Sequence, residues 1–172
     1  MKVKIKKGVA SGYVDAPPSK SMAHRMLICA GLSSGNSIVR GVAESEDILA
    51  TLDCLKSLGA KCEKEGESIK VTGINFENVK TGALLKCRES GSTLRFFIPI
   101  CLMVGKEVNL TGSERLLQRP LGVYEEICKE KGVQFLQEND KVSVNGPMVN
   151  GTYRMAGNVS SQFVSGLLFV LP

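Results

Sequence analysis

Leu58-Gly-Ala-Lys-Cys-Glu-Lys-Glu-Gly-Glu-Ser-Ile-Lys-Val-Thr-Gly73 aligns without a gap on Lys131-Gly-Val-Gln-Phe-Leu-Gln-Glu-Asn-Asp-Lys-Val-Ser-Val-Asn-Gly146. Gly59 falls on Gly132 and Gly73 on Gly146, 73 residues apart in both cases. Each copy reads as the end of a helix stopped by Gly, then two short strands joined by a polar turn at Glu65-Gly66 or Asn139-Asp140. A match of this length marks one supersecondary unit stacked on copies of itself.

Upstream the correspondence continues at a shorter offset of 70 residues: Arg25 with Arg95, Gly35 with Gly105, and the strand Ile38-Val39-Arg40 with Val108-Asn109-Leu110. Each unit is expected to run helix, strand, helix, strand, strand. A third opens at Val159-Ser160-Ser161-Gln162, with an apolar helix from Phe163 to Leu171. Ser45-Glu46-Asp47 caps a helix whose Ile48, Leu52 and Leu55 share one face. Pro120 suits the first turn of a helix over Leu121–Lys131, and Gly132 its end. Pro99, inside the helix Phe96–Val104, predicts a kink.

The chain has 172 residues, with 22 Lys and Arg against 17 Asp and Glu, a formal charge of +5. The surplus is spread out, Trp is absent and aromatics are few, so platforms for stacking bases are poorly supplied and nucleic acid is a weak partner. Anionic small molecules suit the charge. Cys29, Cys54, Cys62, Cys87, Cys101 and Cys128 form no C-x-x-C pair, and the lone His24 supplies no ligand set, so no metal is expected. Thiols inside apolar patterns imply a reduced, cytoplasmic setting. Met1-Lys-Val-Lys-Ile-Lys-Lys7 alternates as a strand does and lacks the apolar core of a signal peptide. No run reaches transmembrane length.

Chemistry concentrates at the helix starts. Pro18-Ser-Lys-Ser-Met-Ala-His-Arg25 leaves a Pro-Pro linker and enters an apolar helix. A helix N-terminus carries free N–H groups and about half a positive charge, so Lys20 and Arg25 there suit a phosphate or carboxylate. The alternative is a capped surface helix with two solvated cations. The three units begin with Ser19-Lys20-Ser21, Ser90-Gly91-Ser92-Thr93 and Ser160-Ser161-Gln162. Stacked in a common orientation, they would line one electropositive surface, where Gly91 admits close approach of a ligand to the backbone. Alternatively, Gly91 is a plain turn glycine. Arg119, before Pro120, could hold an anion bidentately or be solvated. His24 reads as structural, and Arg95 as a support or a packing residue. No nucleophile–His–acid set and no P-loop or dinucleotide fingerprint is present.

Four ordered motifs, Pro18-Ser-Lys-Ser-Met-Ala-His-Arg25, Glu89-Ser-Gly-Ser-Thr-Leu-Arg95, Gln118-Arg-Pro120 and Asn158-Val-Ser-Ser-Gln162, resemble the N-terminal part of the 5-enolpyruvylshikimate-3-phosphate synthase family. The resemblance implies an α/β (α+β) fold of repeated βαβαββ units, the inside-out barrel of enolpyruvyl transferases. Residues 1–15 would be a strand belonging to the other domain. Residues 16–172 would be an incomplete domain, with units at about 19–88 and 89–150 and the start of a truncated third at 151–172.

The same resemblance implies transfer of the enolpyruvyl group of phosphoenolpyruvate to the 5-hydroxyl of shikimate 3-phosphate, in aromatic amino acid biosynthesis. It implies contacts to shikimate 3-phosphate from Lys20, Ser21, Arg25, Ser160, Ser161 and Gln162. It places Lys20, Gly91, Arg119 and Gln162 against phosphoenolpyruvate. Lys20 would be catalytic, by moving a proton or stabilising charge, and the acid–base residues would lie in the missing half. No cofactor is implied, glyphosate is implied as a competing ligand, and the full-length parent is expected to be monomeric without a membrane partner. Glu89 departs from the Asn often found in its motif. The sister enzyme acting on a UDP-amino sugar resembles this chain in fold. It carries Lys-Asn where this chain has Lys20-Ser21, and a reactive Cys where Ser113–Gln118 has none. A non-catalytic anion-binding module is the remaining alternative.

Overall fold

A computed structural model describes residues 2–4, 6–9 and 11–171; Met1, Ile5, Ala10 and Pro172 lie outside the described residues. The first unit contains α1 (Lys20–Leu32), β1 (Asn36–Arg40), α2 (Glu46–Ser57), β2 (Lys61–Glu65) and β3 (Ser68–Thr72). The second contains β4 (Ala83–Lys86), α3 (Gly91–Met103), β5 (Glu107–Thr111), the short α4 (Glu114–Leu117), α5 (Gly122–Lys131), β6 (Gln134–Gln137) and β7 (Val142–Asn145). Helix α6 (Ser161–Leu168) follows. Among the described residues no helix is long and apolar enough to cross a membrane.

The repeat is visible in the pairing. β3 lies between β1 and β2, and β7 between β5 and β6, all antiparallel. Asn36 and Lys61 both face Thr72; Glu107 and Gln134 both face Asn145. Gly59 and Gly132 both take positive φ, at 100° and 66°. They end their helices through matching bonds, Gly59 N to Lys56 O and Ala60 N to Leu55 O, then Gly132 N to Lys129 O and Val133 N to Cys128 O. Each residue of these helix ends and its counterpart are 73 residues apart. Gly73 and Gly146 press against the ends of α1 and α3: a Cβ would lie 1.6 Å from Ser33 O in one and 2.0 Å from Leu102 O in the other.

Two expectations are corrected. The offset of the first helix and strand is 71, not 70. The N-caps Ser19 and Ser90 open helices of 13 residues each, and β1 and β5 match at Asn36 and Glu107. Arg25 therefore corresponds to Phe96, and Arg95 to His24. One residue is about 100° of helix, so the two arginines leave different faces. The expected unit boundary at 88 cuts off β4, which pairs in parallel with β5 and sits in the second sheet. The described residues among 1–7 are exposed and form no strand pairing within this chain. Met1 and Ile5 fall outside the description.

α3 is the central helix. From Phe96 to Leu102 every residue is buried, as a helix apolar all round requires. It packs on α6, α2 and β7. Pro99 sits within it, and the helix is continuous through that position. Pro99 has no N–H to give to Arg95 O. The Tyr124 hydroxyl of α5 donates to that carbonyl instead, at 2.7 Å. Burial raises the Tyr124 pKa far above its ordinary value, which keeps this donor protonated. Gly166 of α6 makes the crossing possible: a Cβ there would lie 2.3 Å from Tyr124 Oη and 2.9 Å from Arg95 O.

Candidate anion-binding site

Ser19, Ser90 and Ser160 cap α1, α3 and α6, each accepting a backbone N–H of its first turn. Serine suits this role because its oxygen replaces a missing helical acceptor. The residues after the caps, Lys20, Gly91 and Ser161, stand at the helix mouths.

Gly91 is where the sequence-derived candidates meet most closely. A Cβ on it would lie 2.4 Å from Arg119 Nη1 and 3.4 Å from Arg95 Nη1. Arg119 is delivered by the turn after α4, which Gln137 holds by donating to Leu117 O and Arg119 O at 2.5 and 3.1 Å. Arg95 Nη1 donates to Gln162 Oε1 at 2.7 Å, and Gln162 Nε2 donates to Ser92 Oγ at 2.9 Å. The first turns of α3 and α6 are thus tied together. Arg95 also lies over the Phe163 ring, 5.1 Å from its centroid, with its Nε buried and unpartnered. Burial, and then the Arg119 charge beside it, lower the Arg95 pKa from the ordinary guanidinium value.

The α1 mouth is adjacent through α6. Arg25 Nη2 donates to Ser165 Oγ at 3.0 Å and Nη1 to Ser21 Oγ at 2.6 Å, with the guanidinium 5.1 Å from the Phe96 ring centroid. Gln162 and Ser165 lie three apart on α6, so the two arginines grip one face of it. Lys20 turns the other way and pairs with Asp47 of α2 at 2.5 Å. It makes no bond to Ser160, Ser161 or Gln162. Arg25 likewise reaches α6 at Ser165 instead of the Ser160–Gln162 turn. The expected convergence is therefore two adjacent mouths, one at Lys20, Ser21 and Arg25 and one at Gly91, Arg119, Arg95 and Gln162. Ser160 serves as the cap of α6, and Ser161 is exposed.

Among the described residues, Arg25, Arg95 and Arg119 form no ion pair with a carboxylate. Three guanidinium groups beside capped helix N-termini make a cradle whose complement is an anion with several oxygens. No group of His, Cys, Asp and Glu that could hold a metal is found among them. All six cysteines are free. An apolar hollow lined by Val42, Ile48, Leu52, Cys62 and Ile69 shares no residue with the cradle.

Asp47, Ser92, Ser165 and Tyr124 were not among the sequence-derived candidates. Asp47 read only as a favourable acid in the first turn of α2. Ser92 stands inside the Ser90–Thr93 helix start but was assigned no contact of its own, and Ser165 is a small polar residue with no local signature. Tyr124 has one signal, the carbonyl that Pro99 four residues after Arg95 must leave free.

The EPSP synthase (3-phosphoshikimate 1-carboxyvinyltransferase) family model matches residues 5–172. A 3-phosphoshikimate 1-carboxyvinyltransferase of Clostridium kluyveri is 48% identical over 163 residues, covering 94% of this chain and 38% of the relative. One of Clostridium perfringens is 44% identical over 173 residues, covering 99% and 41%. The EPSP synthase structure from Acinetobacter baumannii superposes with a TM-score of 0.74 at 25% identity, over 92% of this chain and 37% of that one. The chain spans about two fifths of the length of the curated relatives it matches.

Proposed function

We propose, from the premise that this chain belongs to the EPSP synthase family, that it supplies one wall of the cleft in which enolpyruvyl is transferred from phosphoenolpyruvate to the 5-hydroxyl of shikimate 3-phosphate. The reaction protonates the methylene carbon of the enol, forms a bond from the sugar oxygen to the adjacent carbon, and then expels phosphate with loss of a proton from the methyl group. Both substrates carry phosphate, and the observation that supports the reading is the set of guanidinium groups without carboxylate partners at the α1 and α3 mouths.

In this reading Arg25 and Ser21, with Ser160, Ser161 and Gln162 of the α6 start, bind shikimate 3-phosphate. Gly91, Arg119 and Gln162 bind phosphoenolpyruvate, with glyphosate as a competitor. Lys20 contacts both substrates and is the catalytic residue of this reading, which requires it to leave its Asp47 partner when the anions arrive. The N-terminal segment before Pro17 crosses to a second domain, and the protein works in the cytoplasm without a cofactor. Donors and a base on both sides of the reacting carbon are required, so the chain alone binds but does not turn over. Calorimetry of the chain with shikimate 3-phosphate, and a phosphate-release assay with both substrates, test this. Binding without release is expected; sustained, shikimate 3-phosphate-dependent release would overturn it.

A further inference from the structure

Five polar residues are buried among the described residues, and four of them form one chain: His24, Thr51, Thr93 and Ser90. The fifth is Ser143 of β7. His24 Nδ1 lies 2.7 Å from Thr51 Oγ1, which lies 2.9 Å from Thr93 Oγ1, which lies 2.7 Å from Ser90 Oγ. The chain crosses from α1 through α2 to the N-cap of α3. Its ends are the neighbours in sequence of the two anion mouths, Arg25 after His24 and Gly91 after Ser90. A buried polar chain of this length survives only if its members satisfy one another, and then it fixes a geometry that apolar packing would leave loose.

Its direction follows from the protons. The Thr93 hydroxyl has one, within reach of Ser90 Oγ and, at 3.4 Å, of the Asp47 carbonyl, which can only accept. Thr93 giving its proton there must accept from Thr51, and Thr51 must accept from His24 Nδ1–H. The reverse order would leave an N–H on His24 Nε2, a buried atom with no partner. Orphaned buried N–H groups are rarer than under-satisfied acceptors, so Nε2 carries the lone pair. Burial holds the His24 pKa below its ordinary 6.5; Asp47 opposes this, while Lys20 and Arg25 reinforce it. The ring is neutral, as the chain requires.

We propose that His24, Thr51, Thr93 and Ser90 are a one-directional hydrogen-bond chain, donated from His24 toward the α3 N-cap, that sets the separation of the Arg25 and Gly91 mouths. His24 and Thr51 are positioning residues. Only the affinity consequence rests on the functional reading above; the chain itself does not.

His24 is the sole histidine, so the imidazole 15N spectrum of the intact chain reports it alone. The expected result is a neutral ring protonated at Nδ1 in the unliganded protein at pH 7.5. Thr51→Val is expected to shift the tautomer and speed amide exchange at Gly91, Ser92 and Thr93, whereas Thr51→Ser retains both. Where shikimate 3-phosphate and phosphoenolpyruvate bind, Thr51→Val should weaken their joint binding about fivefold, the worth of one hydrogen bond. An Nε2-protonated ring in the wild type, or exchange at the Gly91 turn unchanged in Thr51→Val, overturns the proposal. If Thr51→Val does not fold, the wild-type spectrum and Thr51→Ser decide it. Loss of binding in the wild type counts against the functional reading and leaves both spectral tests intact.

Discussion

Helices α1 and α3 are two copies of one element, and the fifth residue after the cap places a polar side chain at least partly inside in both, His24 buried and Arg95 half-buried. Their Nε2 and Nε atoms are the two buried side-chain nitrogens without a partner among the described residues. Histidine can discard its charge, and burial favours that; its one N–H is then the donor that the proposed chain directs to Thr51. Arginine cannot discard its charge. Arg95 therefore keeps a permanent charge in a half-buried position, stabilised by Gln162 and the Phe163 ring, with Arg119 close by. The repeat fixes where a polar group stands against the core; the residue type decides whether that group is neutral or permanently charged. The connections differ in the same sense. Residues 41–45 join β1 to α2 directly, while residues 112–121 add α4 and bring Arg119 to Gly91.

The largest effect on this comparison should come from Gly166→Ala. Its Cβ would collide with Tyr124 Oη and Arg95 O, prising α6 from α3 and breaking the bond that replaces the one lost at Pro99. Overpacking plus an orphaned carbonyl costs about 3 kcal/mol. Urea unfolding should show it, with Tyr124→Phe, which only orphans the carbonyl, losing about 1–2 kcal/mol. A Gly166→Ala protein as stable as wild type would mean that α6 does not sit on α3 through this glycine.

Next is Gly91→Ala. The added methyl meets the far end of a flexible side chain, so the fold should tolerate it with little change in Tm. Arg119 must swing away, which removes a charge-assisted contact worth roughly 1.5–3 kcal/mol. On the proposed function, phosphoenolpyruvate affinity of the protein carrying this change should fall about tenfold or more, while shikimate 3-phosphate affinity holds.

Much of this was legible in the sequence, for reasons that can be located. Gly59, Gly132, Gly73 and Gly146 announce the repeat because each occupies a backbone conformation or a contact that a side chain would forbid. The serine caps mark the helix mouths because capping is local. The one-residue misalignment of α1 and α3 arose from matching Arg25 to Arg95 by identity, when the caps and strand register carry the phase. The Lys20–Asp47 pair, the Gln162–Ser92 tie and the four-residue polar chain were not legible. Each joins residues far apart in sequence whose local patterns are ordinary.

The smallest expected effect is a pH dependence, and it separates the two copies. His24 has its pKa lowered by burial, so on acidification the unfolded chain takes up its proton first, near pH 6.5. Stability from this group is complete above that pH. It falls as the pH drops toward the folded-state pKa, by at most about 1.4 kcal/mol per pH unit. Arg95 stays charged throughout and contributes no such slope. Melting temperatures at pH 7.5 and 5 should fall further in wild type than in His24→Asn; equal falls would show that His24 titrates freely.

The central claim is that the α1 and α3 mouths are distinct anion subsites on one scaffold. Calorimetric titration of shikimate 3-phosphate into wild type, Arg25→Ala and Arg119→Ala tests it most directly. Arg25→Ala should weaken binding about tenfold or more, from the loss of a charge-assisted contact, with Arg119→Ala within about twofold of wild type. Equal losses in both variants, or none in either, would contradict it.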